Sequence, residues 1–232
     1  DRDGDIDLYI AKCRQFVNDP QDPRRVNQLW VNDGQGNYTE EAAERGLVFF
    51  EQSWTADFAD IDNDGDFDCL VTNHSTTLLL LENDGTGNFT DITAGSGLEV
   101  TGFFLQAKLE DFDNDGYVDL VYSGGAHAYF KNNGDQTFSN IPNMFPYGDT
   151  MHSFATGDVN RDGQVDLYAS YGNGYVSADN GNDDVLWINN GNPGQHWITF
   201  ELEGFQSNRD AVGATVEITG SFGTQGRSVR AG

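Results

Sequence analysis

An all-β fold made of repeated four-stranded units is what this sequence predicts, on three observations. An aspartate-rich stretch of nine residues recurs in phase, an Asn-Gly hairpin signal follows each copy, and the pattern returns every 50 residues or so, with Asp62, Asp113 and Asn160 at corresponding positions. Four-stranded units at that spacing are the signature of β-propeller blades, of which about four are present. Helical periodicity is nearly absent; Thr39 to Leu47 is the one short helical possibility.

The first landmark reads Asp60-Ile61-Asp62-Asn63-Asp64-Gly65-Asp66-Phe67-Asp68, Asp111-Phe112-Asp113-Asn114-Asp115-Gly116-Tyr117-Val118-Asp119 and Asp158-Val159-Asn160-Arg161-Asp162-Gly163-Gln164-Val165-Asp166. The chain opens inside a further copy, Asp1-Arg2-Asp3-Gly4-Asp5-Ile6-Asp7, whose first position would precede residue 1. Glycine at position 6 permits a sharp bend, since it has no side chain to clash at positive φ. With the backbone curled, positions 1, 3 and 5 turn their oxygens inward: Asp60, Asp62 and Asp64; Asp111, Asp113 and Asp115; Asp158, Asn160 and Asp162; Asp1 and Asp3 in the partial copy. The carbonyl of position 7 (Asp5, Asp66, Tyr117, Gln164) and the carboxylate of position 9 (Asp7, Asp68, Asp119, Asp166) complete an all-oxygen cage. Such hard, charged donors suit Ca²⁺ better than Mg²⁺, which keeps a tight octahedron and its own waters.

An EF-hand would need a glutamate at position 12, where this chain has Ile10, Val71, Tyr122 and Ala169. The residues after each loop, such as Asp-Leu-Tyr-Ile and Asp-Cys-Leu-Val, are β-prone, so the loop belongs in a β-hairpin. Asp/Asn/Gly runs also make ordinary solvated turns, but a turn does not require carboxylates at the same phases in four copies. Three complete loops and one partial one predict three to four Ca²⁺ ions. Asn160 leaves its loop one negative charge short, so that site is expected to be the weakest. Without metal, each loop crowds like charges together and should destabilise the fold.

The formal net charge of −26 argues against nucleic-acid partners and against anionic membrane surfaces. The leucine run from Leu78 to Leu81 is far too short to span a bilayer, so no membrane insertion is expected. Loops of this composition suit extracellular calcium levels, which places the chain outside the cell or on its surface. Of the two cysteines, Cys69 takes the buried apolar place held by Leu8, Leu120 and Leu167 in the other copies, and no Cys13–Cys69 disulfide is expected.

The second landmark is the hairpin signal: Asn32-Asp33-Gly34, Asn83-Asp84-Gly85, Asn132-Asn133-Gly134 and Asn189-Asn190-Gly191, each after an apolar strand. Each unit therefore runs strand, acidic loop, strand, connection, strand, Asn-Gly turn, strand. The connections between second and third strands are long in the first and last units, 11–27 and 171–184. Blade topology puts these on the rim opposite the acidic loops. Lys12, Arg14, Arg24 and Arg25 in the first, with Tyr171 and Tyr175 in the last, are the candidate partner-binding residues for a protein or glycan, or for self-association.

After Pro193 the pattern changes. His196 to Leu202 alternates as a strand and Ala214 to Ile218 reads as another, with Ser207-Asn208-Arg209-Asp210-Ala211-Val212-Gly213-Ala214 between them. The loops and Asn-Gly hairpins resemble FG-GAP/VCBS repeats, as in integrin alpha-chain propellers. The tail, from Gly191-Asn192 through His196-Trp197 to the 207–214 string, looks like the ASPIC/UnbV domain, a combination similar to the acidic secreted cartilage proteins and their bacterial relatives. The resemblance implies a seven- or eight-bladed calcium propeller at 1–193 and a partial β domain at 194–232, in extracellular proteins of adhesive or matrix type. The chain is then a fragment or is completed by blades from another chain, and its open blade edges are prone to pairing.

No HExxH, P-loop, Rossmann or nucleophile-elbow motif occurs, and the four histidines are scattered. A non-catalytic binding or adhesion module is the first functional reading, and a structural subunit of a matrix or surface filament is the second. A propeller-based hydrolase or lyase ranks last.

Overall fold

The computed structural model describes residues 3–14, 16–145, 150–172, 181–192, 194–205, 208–221 and 223–229, with Ser75 described by its backbone alone. Within them all regular structure is β, arranged as a partial β-propeller. The first blade contains β1 (Leu8–Ile10), β2 (Gln28–Asn32) and β3 (Tyr38–Glu40). The second contains β4 (Ser53–Ala59), β5 (Asp68–Thr77), β6 (Leu79–Asn83) and β7 (Phe89–Asp91), and the third β8 (Thr101–Glu110), β9 (Asp119–Gly124), β10 (Ala128–Asn132) and β11 (Phe138–Ile141). The fourth contains β12 (Met151–Gly157), β13 (Asp166–Tyr171) and β14 (Val185–Trp187). Neighbours pair antiparallel, with the acidic loops between first and second strands and the Asn-Gly turns between third and fourth. The far end of the ten-residue β5 also pairs with β8, Thr77 opposite Thr101, which fuses the second and third blades into one eight-stranded sheet.

The hydrophobic core lies between blades. Leu29, Ala42 and Leu47 of the first blade meet Cys69, Val71 and Leu81 of the second. Ile61, Leu70, Leu80 and Leu98 of the second meet Phe104, Leu109, Leu120 and Phe130 of the third. Val121 and Tyr129 of the third meet Met151, Phe154, Leu167 and Ala169 of the fourth. Successive strand residues point to opposite faces. A central blade covered on both sides therefore needs an unbroken apolar run, and Cys69-Leu70-Val71 and Leu120-Val121-Tyr122 are wholly buried. In the fourth blade Leu167 and Ala169 are buried while the intervening Tyr168 is exposed.

A backbone joint repeats between blades. After β3 the chain makes one helical turn, with Arg45 N–H donating to Glu41 O (3.0 Å), and ends it at Gly46, whose φ is +77°. The possible helix over Thr39–Leu47 is thus limited to this turn, because its first residues are held in β3 and Gly46 stops it. Phe89 N–H of the next blade donates to Arg45 O (2.8 Å), and a Cβ on Gly46 would stand 2.3 Å from Phe89 O. The second blade docks on the third in the same way. Phe138 N–H donates to Ser96 O (2.7 Å), and a Cβ on Gly97 would stand 2.2 Å from Phe138 O.

In the tail, β15 (Thr215–Gly220) and β16 (Gly223–Ser228) form a hairpin, in agreement with the strand expected at Ala214–Ile218. His196–Leu202 is not a strand: its alternation is present, but among the described residues no neighbouring strand offers it a ladder, and Trp197, Ile198, Phe200 and Leu202 are exposed. The hairpin lies across the acidic loops. Arg227 Nη2 is 3.8 Å from Asp111 Oδ2, the backbone of Gly226 approaches Asp60, and the Trp197 ring covers Gly163.

The joint predicts a contrast between two glycines that both have positive φ. Gly95 has open space around its missing Cβ, so Gly95→Ala should cost only the left-handed strain, about 1–2 kcal/mol. Gly97→Ala adds a backbone clash and should cost a further ~1–3 kcal/mol. Denaturant unfolding of the two variants measures the difference.

Candidate metal centre

Each complete loop curls as its spacing predicts, with one addition. Gly65, Gly116 and Gly163 take positive φ at position 6, and position 4 does so as well: Asn63 (+61°), Asn114 (+55°) and Arg161 (+62°). Asparagine tolerates this region and arginine does not favour it. In the second and third blades the curl draws together the carboxylates of positions 1, 3 and 5. One oxygen from each of Asp60, Asp62 and Asp64 lies within 4.8 Å of the others, and the same holds for Asp111, Asp113 and Asp115. Both triads can hold a metal ion. In the fourth blade Asn160 replaces the middle carboxylate, and its amide donates to Asp162 Oδ2 (2.8 Å). In the first, Asp3, Asp5 and Asp7 are described and Asp1 lies outside the described residues.

Asp60 shows most directly that a cation fits. It is 1 % exposed, and neither carboxylate oxygen has a hydrogen-bond partner among the described residues. Burial raises its pKa; the backbone amides of Asn63 and Gly226, nearby but short of hydrogen-bond geometry, offset this only in part. An unpaired buried carboxylate is costly unless a proton or a metal satisfies it. Every other donor in the triad is also oxygen, as a hard divalent ion requires.

The ninth-position carboxylates have a structural task that the sequence did not reveal. Asp68 accepts from Ile61 N–H (3.0 Å) and Asn83 N–H (2.9 Å), so one side chain ties the start of the loop to the hairpin turn. Asp119 does the same with Phe112 and Asn132, adding the Tyr129 hydroxyl at 2.8 Å, and Asp166 with Val159 and Asn189. Asp7 accepts from Asn32 N–H (2.9 Å). At position 7, the side chains of Asp66, Tyr117 and Gln164 cover the turn glycines Gly85, Gly134 and Gly191.

The loops are also tied to one another. Asn63 Nδ2 donates to Gly116 O (3.2 Å) in the next blade, and Asn114 Nδ2 to Gly163 O (3.0 Å). The turn asparagine Asn132 donates back to Ile61 O (2.8 Å), and Asn189 to Phe112 O (2.6 Å). Sequence reasoning took Asn132 and Asn189 for turn formers only and gave Asn63 and Asn114 no role; their fixed offset from each loop was the available signal.

The expected partner residues fall less uniformly. The first long connection packs at the end of β4 away from the acidic loop, with Arg14 N–H donating to Gln52 Oε1. Much of its basic charge is used internally. Arg24 pairs with Asp22, Arg25 donates to Val17 O, and Lys12 Nζ donates to Pro23 O (3.4 Å). Tyr171, expected on the partner surface, is 5 % exposed and belongs to the core between third and fourth blades, because the last residue of β13 pairs with the buried Met151 and sets its ring edge-on to His127. Tyr175 lies outside the described residues.

Burial gives the site its pH dependence. It pushes Asp68 up to about 8, Asp119 to about 7 and Asp111 to about 6, with like-charged neighbours adding to the effect. These folded-state values lie above the unfolded value, so the metal-free fold binds the protons more tightly than the unfolded chain does. The stabilisation is complete below about pH 4 and is lost as pH rises through about 6 to about 8. Calorimetry of metal-free protein should therefore show the melting midpoint falling from about pH 5 to about pH 8.

No curated protein matches the chain. A family model of FG-GAP-like repeats matches residues 1–71, 60–122 and 111–169, each span running from one acidic loop through the next. Together the spans cover most of the sequence and coincide with the blade and loop repeat described above. The chain belongs to the FG-GAP-like repeat family.

Proposed function

We propose that the chain is a calcium-stabilised, non-catalytic binding or adhesion module that works outside the cell or at its surface. The observation that carries this reading is Asp60, a buried carboxylate at the head of a carboxylate triad with no hydrogen-bond partner among the described residues. When bound, Ca²⁺ supplies the positive charge that lets crowded carboxylates stay ionised, and the loop residues supply the oxygens. The chain takes three to four ions, and the loop with Asn160 binds most weakly. Asn63 and Asn114 pass the order of one loop to the next blade. The acidic side chains are committed to building the loops, which favours a binding role over hydrolase or lyase chemistry. A protein or glycan partner meets the opposite rim, where Arg14 and Arg24 are exposed. Residues 194–232 form an ASPIC/UnbV-like β domain.

A second reading, a structural subunit of a matrix or surface filament, has one specific support. Leu8 on the first blade and Tyr168 and Leu186 on the fourth are exposed apolar residues. The central blades bury the corresponding positions against a neighbour, so self-association would cover these faces.

Calcium at about 100 times its dissociation constant should stabilise one loop by about 2.7 kcal/mol and raise the melting midpoint by at least ~5 °C. Asp64→Ala should lose part of that response. Asp135→Ala, in a turn where the side chain only caps Thr137, should keep it. Thermal melts with calcium and with chelator test the assignment, and identical midpoints in both would refute it.

A further inference from the structure

The two carboxylate triads have the same loop sequence pattern and different surroundings. The residue just before the turn asparagine, on the strand that faces the loop, is Glu82 in the second blade and Lys131 in the third. Glu82 places a further carboxylate beside Asp62, and Gln136 of the next blade bridges the two, Nε2 standing 2.8 Å from Asp62 Oδ2 and 2.6 Å from Glu82 Oε1. Gln136 holds φ at +63°, where the equivalent residues are Gly36 and Gly87, so a strained backbone position is occupied by the side chain that reaches this loop.

In the third blade the ammonium of Lys131 donates to Asp113 Oδ2 and, at 2.6 Å, to Asp115 Oδ2. These are the position 3 and position 5 carboxylates. Arg227 adds a second positive group 3.8 Å from Asp111 Oδ2. The position 1 carboxylates of the two triads differ as well. Asp111 is satisfied within its own loop, accepting from Asp115 N–H (3.1 Å) and Gly116 N–H (3.0 Å), whereas Asp60 has no hydrogen-bond partner among the described residues.

We infer that Lys131 is the built-in counter-cation of the third loop, so that this loop holds its shape without a divalent ion and binds one only by displacing the ammonium, while the second loop depends on metal. The inference rests on the calcium reading above. An ammonium on a flexible stem can leave without unfolding the strand that carries it. The charge it supplies opposes a divalent ion at the same carboxylates.

Calorimetric titration of the divalent-free full chain with Ca²⁺, paired with thermal melts, tests this. Lys131→Met keeps the apolar stem and removes the charge. It should tighten one class of calcium site by on the order of tenfold or add a site. It should also lower the metal-free melting midpoint, with the deficit recovered at saturating calcium. Lys131→Gln should behave like the Met variant, and Lys131→Arg like the wild type. If the wild type binds calcium but the Met and Gln variants titrate identically to it, the inference is overturned. It is equally overturned if their melting deficit is unchanged at saturating calcium. If the wild type neither binds calcium nor melts differently with it, the calcium reading itself fails, and this inference with it.

Discussion

The carboxylate at the ninth position of each loop is the joint on which a blade hangs. In the three complete loops its two oxygens hold amides from the start of the loop and from the hairpin turn, segments that are 22 residues apart in the second blade, Ile61 and Asn83. The inner and outer hairpins of the blade are thereby fastened at one rim. Asp68 and Asp119 are buried among other carboxylates, where ionisation is unfavourable without a compensating charge. The architecture of the rim thus creates a demand for positive charge, and the loops meet it in different ways.

Away from the rim, each blade depends on its neighbours. The central strands are apolar on both faces because each is covered twice, by Leu29 and Leu47 on one side of the second blade and by Phe104 and Leu120 on the other. Polar links run alongside these cores, with Asn63, Asn114, Asn132 and Asn189 all crossing between blades. Packing and hydrogen bonding therefore follow the same repeat, which is the local and global consistency expected of a foldable sequence.

Most of this order was legible from spacing. The acidic loops, the Asn-Gly turns and the blade period follow from local chemistry that recurs in phase, and the buried Cys69 follows from its place in that phase. What was not legible depends on neighbours distant in sequence. The alternation of His196–Leu202 specifies a two-faced strand but cannot supply a ladder partner. Tyr171 reads as part of a long connection, yet it closes a strand and points into the core. The contrast between Glu82 and Lys131 is visible in the sequence, but its meaning depends on which carboxylates the strand brings beside them. Gln136 acts on a loop 74 residues earlier, which no local pattern predicts.

The glycine joints at Gly46 and Gly97 bear on how the arc as a whole behaves. Main chain meets main chain there, with no side chain between to change rotamer or compress. At these two junctions the approach of one blade to the next is accordingly fixed by peptide geometry as well as by the apolar core between them. Rim and connection side chains are then free to diversify while the pitch of the array stays constant, which gives the scaffold a rigid curvature beneath a variable surface.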